Sequence, residues 1–213
     1  MRIFNRGPVL FLGEEPAVST IYTIGHSNHS CERFIGLLRS YSIDVVVDTR
    51  SAPYSRFASQ FDREVLQREL AEAGIKYIFL GGELGGRPRD PAYYDAHGRV
   101  LYGRMKTDRA FAAGIERLER GIGGFCVALL CGEEDPAHCH RRLLVGRVLA
   151  ERGHELLHIR ADGRLQTDEQ VAAESGKPLV NEQPALFAEL DEDQWRSTAS
   201  VSLKRAPASS SAR

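Results

Sequence analysis

The chain has no charged and then apolar leader: "MRIFNRGPVLFLGEEPAVST" offers only a few apolar residues before Gly13 and a pair of glutamates. That run is too short for a signal-peptide core or a membrane span, so the sequence predicts no membrane association. Cysteine is scarce, at four in 213 residues, which does not make the disulfide framework of a small secreted domain. Reduced thiols in the cytoplasm are the expectation. An excess of charge of one sign is missing too, because 28 Lys and Arg face 29 Asp and Glu; bulk attraction to polyanions is therefore excluded. No internal repeat divides the chain.

What is present is enough apolar sequence, 42% of the residues, for one substantial core. Residues 1–19 read as an N-terminal extension, 20–162 as an α/β domain, and 163–213 as a C-terminal tail whose Ser/Ala-rich last part reads as disordered. Within the domain, apolar β-rich runs alternate with helical patterns. Strands are predicted over Ile21–Ile24, Ile43–Val47, Lys76–Leu80, Phe125–Leu130 and Glu155–Ile159, and helices from Ser30, Asp62, Thr107 and about Cys139. Asp62 is a candidate cap for the second helix and Gly74 a candidate left-handed stop. "DVVVD" and "FCVALL" are continuously apolar, as strands buried on both faces should be. The order predicts a three-layer α/β sandwich around a mostly parallel sheet of about five strands.

In an open parallel sheet, ligands bind beyond the carboxyl ends of the strands, and four polar segments occupy that position. "GHSNHS" follows the first strand, "DTRSAPYSRFASQF" the second, "GGELGGRPRD" the third and "CGEEDPAHCHRR" the fourth. The long connection Gly81–Lys106 suits a binding loop or lid. His26, Arg50, Arg56, Arg87 and Arg104 can hold an anion through forked hydrogen bonds, while Tyr54, Phe57 and Tyr102 offer faces for a base. Taken singly, His26 reads as a structural histidine and Arg50 as the ion-pair partner of Asp48.

The stretch "ALLCGEEDPAHCHRRLL" concentrates the chemistry. A thiol site would use Cys131 and Cys139, the latter at a helix start where its pKa falls. A zinc site would take Cys131, Cys139, His140 and either His138 or Glu133, although C-x7-C-H lacks the tight C-x2-C knuckle. The plain alternative packs Cys131 as a small hydrophobe and leaves His140 and Arg141 on a solvated helix face. The distance from Cys131 to Arg141 does not match the C-x5-R loop of thiol phosphatases. Cys126 reads as core and Cys31 as a passenger.

Together, "YTIGHSNHS", "VVVDTRSAPYSRFASQF", "GIKYIFLGGELGGRP" and "ALLCGEEDPAHCHRRLL" resemble the successive motifs of the domain of unknown function family 488 (DUF 488) over roughly Ile21–Ile159. The resemblance singles out Asp48, Arg50, Ser51 and Pro53 after the second strand, Gly85 and Gly86 in the third loop, and Cys131, Glu133, Cys139, His140 and Arg141 in the fourth. Thr49 stands where valine is usual. Because the family carries no established activity, the resemblance implies a residue set without a reaction. "VVVDTRS" also resembles a rhodanese-type sulfurtransferase, but no cysteine loop of that kind follows.

The leading expectation is an enzyme acting on a nucleotide or nucleic acid, with Cys131, Glu133, Cys139 and His140 in the chemistry. The substrate would be bound by His26, Asp48, Arg50, Ser51, Tyr54, Arg56, Gly85, Gly86, Arg87, Arg104 and Arg141. A non-catalytic nucleotide or nucleic-acid module comes second and a zinc-dependent hydrolase third; no cofactor is required by the sequence. In the tail, Gln183, Leu186 and Phe187 reproduce a Q-x-x-L-F spacing similar to the peptides that dock on the bacterial sliding clamp. That likeness implies a link to DNA repair or replication.

Overall fold

The computed structural model describes residues 19–176 and 195–201. Strands β1 (Thr20–Gly25), β2 (Val45–Asp48), β3 (Lys76–Phe79), β4 (Val127–Cys131) and β5 (Glu155–Ile159) run parallel, and β6 (Leu165–Thr167) pairs antiparallel with β5. Their order is β3-β2-β4-β1-β5-β6. The sheet thus has six strands against the expected five or so. The sixth follows a turn in which Gly163 takes φ +93°, a conformation glycine adopts without steric penalty.

Strand alternation divides the core into two layers. Val46, Ala128, Leu130 and Ile24 pack with Phe34, Leu37 and Leu38 of α1 (Cys31–Ser40) and Leu66 and Leu70 of α2 (Arg63–Glu72). Val45, Val47, Val127 and Leu129 point the other way. There they meet Tyr102 and Met105 of α4 (Tyr102–Lys106), Phe111, Ile115 and Leu118 of α5 (Arg109–Ile122), and Val148 and Leu149 of α6 (Arg147–Glu151). The short α3 (Gly81–Leu84) adds Leu84 to this layer, and α7 (Asp168–Ser175) follows β6. β2 and β4 are buried along their whole length, as expected for strands covered on both faces.

The helix caps refine the sequence reading. Ser30 caps α1 by accepting from the Arg33 N–H. Asp62 precedes α2 but makes no side-chain cap; its carboxylate accepts from the Ser55 N–H at 2.9 Å and so shapes the preceding loop. Gly74 takes the left-handed conformation at φ +79°. The helix expected from Thr107 starts at Arg109, because Asp108 captures the Ala110 and Phe111 N–H groups. The one expected near Cys139 opens as a wide π turn over Arg141–Gly146 before α6. A capping box of Thr167 and Gln170 starts α7, a signal visible in "TDEQ". Cys126 is half-buried, not core. Among the described residues no helix is long and apolar enough to cross a membrane.

Candidate active site

Parallel register sets Gly25 beside Cys131 and Asp48 beside Leu130. Backbone pairing continues past the strand ends: His26 N–H donates to Cys131 O, and Thr49 N–H to Leu130 O, each at 3.0 Å. Segments remote in sequence therefore emerge side by side. Gly25 permits this approach, since a Cβ there would lie 1.8 Å from the Glu133 carbonyl oxygen. Between the emerging loops lies a cleft of about 390 Å³. His26, Arg50, Cys131, Glu133 and His140 line it, together with Tyr54, Arg87, Tyr102 and His138.

Arg50 spends most of its donors inside the fold. Nε and Nη2 form a fork on Asp48 at 2.9 and 2.6 Å, Nη2 also reaches the Phe61 carbonyl at 2.9 Å, and Nη1 reaches His26 Nε2 at 3.2 Å. Guanidinium can only donate, so Nε2 of His26 is an acceptor, and its Nδ1–H donates to the Ser27 carbonyl at 2.8 Å. Burial and then the Arg50 charge hold the imidazole neutral, lowering its pKa to about 4, while the ring stacks on Phe61. Tyr77 donates at 2.7 Å to Asp48 Oδ2, the oxygen that Arg50 Nη2 also holds. Asp48 thus orients Arg50.

The second constellation is built on thiols. Cys131 Sγ lies 3.2 Å from Glu133 Oε2 and 3.5 Å from His140 Nδ1; Cys139 Sγ lies 3.5 Å from the same carboxylate oxygen and 4.0 Å from the same nitrogen. Both thiols are buried, at 4% and 1% exposure. They differ electrostatically. The hydrogen bond with Cys139, burial, and the nearby negative charges push the Cys131 thiol well above its ordinary value. For Cys139 burial acts upward, but the Cys131 hydrogen bond, the Arg141 guanidinium and His140 outweigh it and pull the thiol well down. His140 moves up despite its burial, because of the Cys139 thiolate. The cause of the low Cys139 value is thus this set of neighbours, since Cys139 sits before the π turn.

Arg141, expected to bind substrate and, on the plain alternative, to sit on a solvated face, is fully buried. Its Nη1 donates to the Glu133 carbonyl, Nη2 to the Glu134 carbonyl at 2.7 Å and Nε to Thr23 Oγ1 at 3.3 Å. Thr23 is left to donate to His158 Nδ1 at 2.8 Å, and His158 Nε2–H then donates to Asp168 at 3.2 Å. Arg142 closes the chain with a fork on Asp168 at 2.6 and 3.1 Å. The acidic turn after β4 is thereby held from beneath.

Of the residues expected to bind a ligand, His26, Arg50, Ser51, Tyr54, Gly86 and Arg87 line the cleft. Asp48, Gly85 and Arg141 lie behind it as supports. Gly85 leaves room for Ser51 Oγ, which accepts from the Arg87 N–H at 2.9 Å, and Gly86 leaves room for the His140 ring. Arg56 and Arg104 are exposed but do not line the cleft, and Arg104 donates to the Ala92 carbonyl at 3.1 Å. Phe57 is 97% exposed. His138 bonds Asp135 at 2.9 Å and stands apart from the thiol cluster. Gln183, Leu186 and Phe187 lie outside the described residues.

Sequence reasoning missed one wall. Ser197–Val201 lines the cleft. The strap is anchored by Trp195, whose indole donates to the Leu143 carbonyl at 2.8 Å and packs edge-on against Tyr102. Tyr102 N–H donates to Trp195 O, and Ser197 N–H to Val100 O. A lone tryptophan in a polar stretch was the available signal, because such a ring seeks burial with a partner for its N–H.

The profile of the domain of unknown function DUF488 matches residues 30–148. That span contains the second, third and fourth loops, with Arg50, Gly86, Cys131, Glu133, Cys139 and His140. No curated protein and no solved structure matches the chain.

Proposed function

The chain belongs to the DUF488 family, and we propose that it is an enzyme acting on a nucleotide or nucleic-acid substrate held in the strand-end cleft. Cys131, Glu133, Cys139 and His140 carry the chemistry. The observation on which this rests is their convergence: two buried thiols share one carboxylate oxygen and one imidazole nitrogen, and three of the four residues, Cys131, Glu133 and His140, line an open cleft. A purely structural turn has no need of four reactive groups there, and perturbed titration concentrates at working sites. Arg87 supplies an exposed cation for a phosphate; Tyr54 supplies a ring for a base, with Phe57 fully presented beside Arg56, while Tyr102 is buried against Trp195.

The test is binding followed by turnover. Thermal unfolding is measured with a panel of nucleotides and short single-stranded oligonucleotides, and members that raise the midpoint are then incubated with wild type and with Glu133→Gln. Conversion by wild type and its loss in Glu133→Gln support the enzyme. Indifference to every member rejects the ligand class. Binding without conversion favours a non-catalytic module, a reading that draws on the same hydrogen bonds as locks on the fourth loop.

A further inference from the structure

We infer that Cys131, Cys139 and His140, with Glu133 as an exchangeable fourth donor, form a binding site for a thiophilic divalent cation of the zinc class. The inference deepens the functional reading above, on which its catalytic meaning rests, but the site itself is argued from geometry.

Zinc in proteins is almost always tetrahedral, with bonds of about 2.3 Å to sulfur, about 2.0–2.1 Å to imidazole nitrogen and about 2.0–2.2 Å to carboxylate oxygen. Those bonds place sulfur and nitrogen, or sulfur and oxygen, about 3.5 Å apart along the edges of the tetrahedron. The corresponding separations here are 3.5 and 4.0 Å for the two sulfurs to His140 Nδ1, and 3.2 and 3.5 Å for the two sulfurs to Glu133 Oε2. The sulfur and nitrogen atoms all lie within 4.8 Å of one another. The two sulfurs and the imidazole nitrogen can thus close on one cation, whereas the Glu133 carboxylate, which stands outside that group of three, has to swing toward it. The missing C-x2-C knuckle is replaced by tertiary structure: β4 ends on Cys131, and the turn through Pro136–His138 returns the chain to present Cys139 and His140.

Three features behind the donors support this assignment. His140 Nε2 contacts the Thr49 carbonyl at 3.0 Å, and a carbonyl only accepts, so Nε2 carries hydrogen and Nδ1 is the atom turned to the thiols. A second partner of this kind is the usual companion of a metal-bound histidine. Gly86 clears space for that ring. Arg141 adds one buried positive charge on the turn that carries the donors, so that two cysteines deprotonated on metal binding, the Glu133 carboxylate, this guanidinium and a divalent cation sum to zero. The cysteines are fixed by buried packing and the half-buried His140 by its bond to the Thr49 carbonyl, whereas Glu133 is exposed on the cleft wall. Three fixed protein ligands and one exchangeable position on a cleft form the layout of a catalytic centre, not of a closed structural one.

The experiment uses the full chain, purified without a histidine tag or chelator, stripped, and titrated anaerobically with cobalt(II). One cobalt per chain is expected, with a thiolate-to-cobalt charge-transfer band in the near ultraviolet and the intense visible bands of a tetrahedral site, both displaced by one equivalent of zinc. Cys139→Ser should abolish the charge-transfer intensity of its thiolate and weaken zinc at least tenfold; Glu133→Gln should keep the band and weaken zinc less. If Cys139→Ser does not fold, alkylation of the wild type decides: bound zinc should protect both Cys131 and Cys139. Absence of charge-transfer bands in the wild type, or equal alkylation with and without zinc, overturns the site. Metal binding by a protein that ignores every nucleotide and oligonucleotide would sink the substrate reading and leave the metal site standing. Ligand binding by a protein with no zinc or cobalt affinity would do the reverse.

Discussion

His140 Nε2–H donates to the Thr49 carbonyl oxygen at 3.0 Å, joining the turn after β4 to the end of β2. This bond aims the imidazole at both thiols, and Gly86 makes room for it. A Cβ at position 86 would fall 2.5 Å from His140 Cγ and 2.7 Å from its Cβ. Gly86→Ala is therefore expected to displace the ring, to cost about 1–3 kcal/mol by overpacking, and to weaken cobalt binding. Denaturant unfolding and the cobalt titration check the two parts; an unchanged cobalt spectrum would show that the ring has not moved.

Arg50 and Arg87 should behave differently when removed. Arg50→Ala strands the carboxylate of Asp48, which is 0% exposed, and breaking such a buried pair costs about 3–5 kcal/mol. Loss of ligand affinity in that variant would be inseparable from loss of fold. Arg87 is exposed on the rim, so Arg87→Ala should leave the unfolding midpoint near wild type. It should weaken an anionic ligand by about 1.5–3 kcal/mol, the worth of a charged hydrogen bond. Calorimetry of both variants against one ligand, beside their melting curves, separates the roles.

Acid should destabilise the fold through the chain beneath the site. Burial depresses the His158 pKa, and the Arg141 and Arg142 charges act in the same direction, while Asp168 opposes them. The unfolded histidine takes up a proton near pH 6.5, whereas the folded one resists until lower pH. Its contribution is thus complete above about pH 6.5 and is lost as pH falls. Asp168 is also depressed, its burial being outweighed by hydrogen bonds to His158 and Arg142, and it adds a second loss below about pH 4. Stability measured from pH 7.5 to 5 should decline for wild type and decline less for His158→Gln; equal slopes would remove His158 from the account.

Trp195 holds the strap that closes one side of the cleft. Trp195→Ala removes the indole bond to Leu143, the edge contact with Tyr102 and the Arg147 guanidinium stacked at 4.2 Å. A loss of roughly 3 kcal/mol is expected, at the low end for a large aromatic because the ring is only partly buried. Ligand affinity should fall as well, since Ser197–Val201 loses its anchor. Melting curves and ligand titration of this variant provide the check.

The tail motif makes an independent prediction. A peptide spanning Val180–Asp193 should bind the sliding clamp of the same organism, with Leu186 and Phe187 filling an apolar pocket and Gln183 hydrogen-bonding beside it. Calorimetric titration at clamp concentrations on the order of tens of micromolar suits a short peptide that orders on binding. Silence of the wild-type peptide, or equal binding by Leu186→Ala plus Phe187→Ala, removes the proposed link to DNA.

By itself the sequence determined the α/β alternation, because apolar runs such as "DVVVD" are local and their covering helices carry their own spacing and caps. It also determined which loops hold polar residues, since parallel strands send their carboxyl ends to one edge. The sixth strand escaped it: Leu165–Thr167 is three residues long, too short for a periodic pattern, and it exists because β5 offers an edge to pair with. Only the tertiary structure decided the roles of the arginines. Arg50, Arg87 and Arg141 are the same residue type in similar polar stretches, yet one is locked on Asp48, one stands on the rim, and one is buried on the carbonyls of Glu133 and Glu134. Likewise, the placement of Cys131, Glu133, Cys139 and His140 at edges of 3.2–4.0 Å comes from the return of the turn after β4. Side-chain convergence depends on non-local packing, here the Thr49 carbonyl, the space over Gly86 and the Trp195 strap, none of which residue spacing encodes.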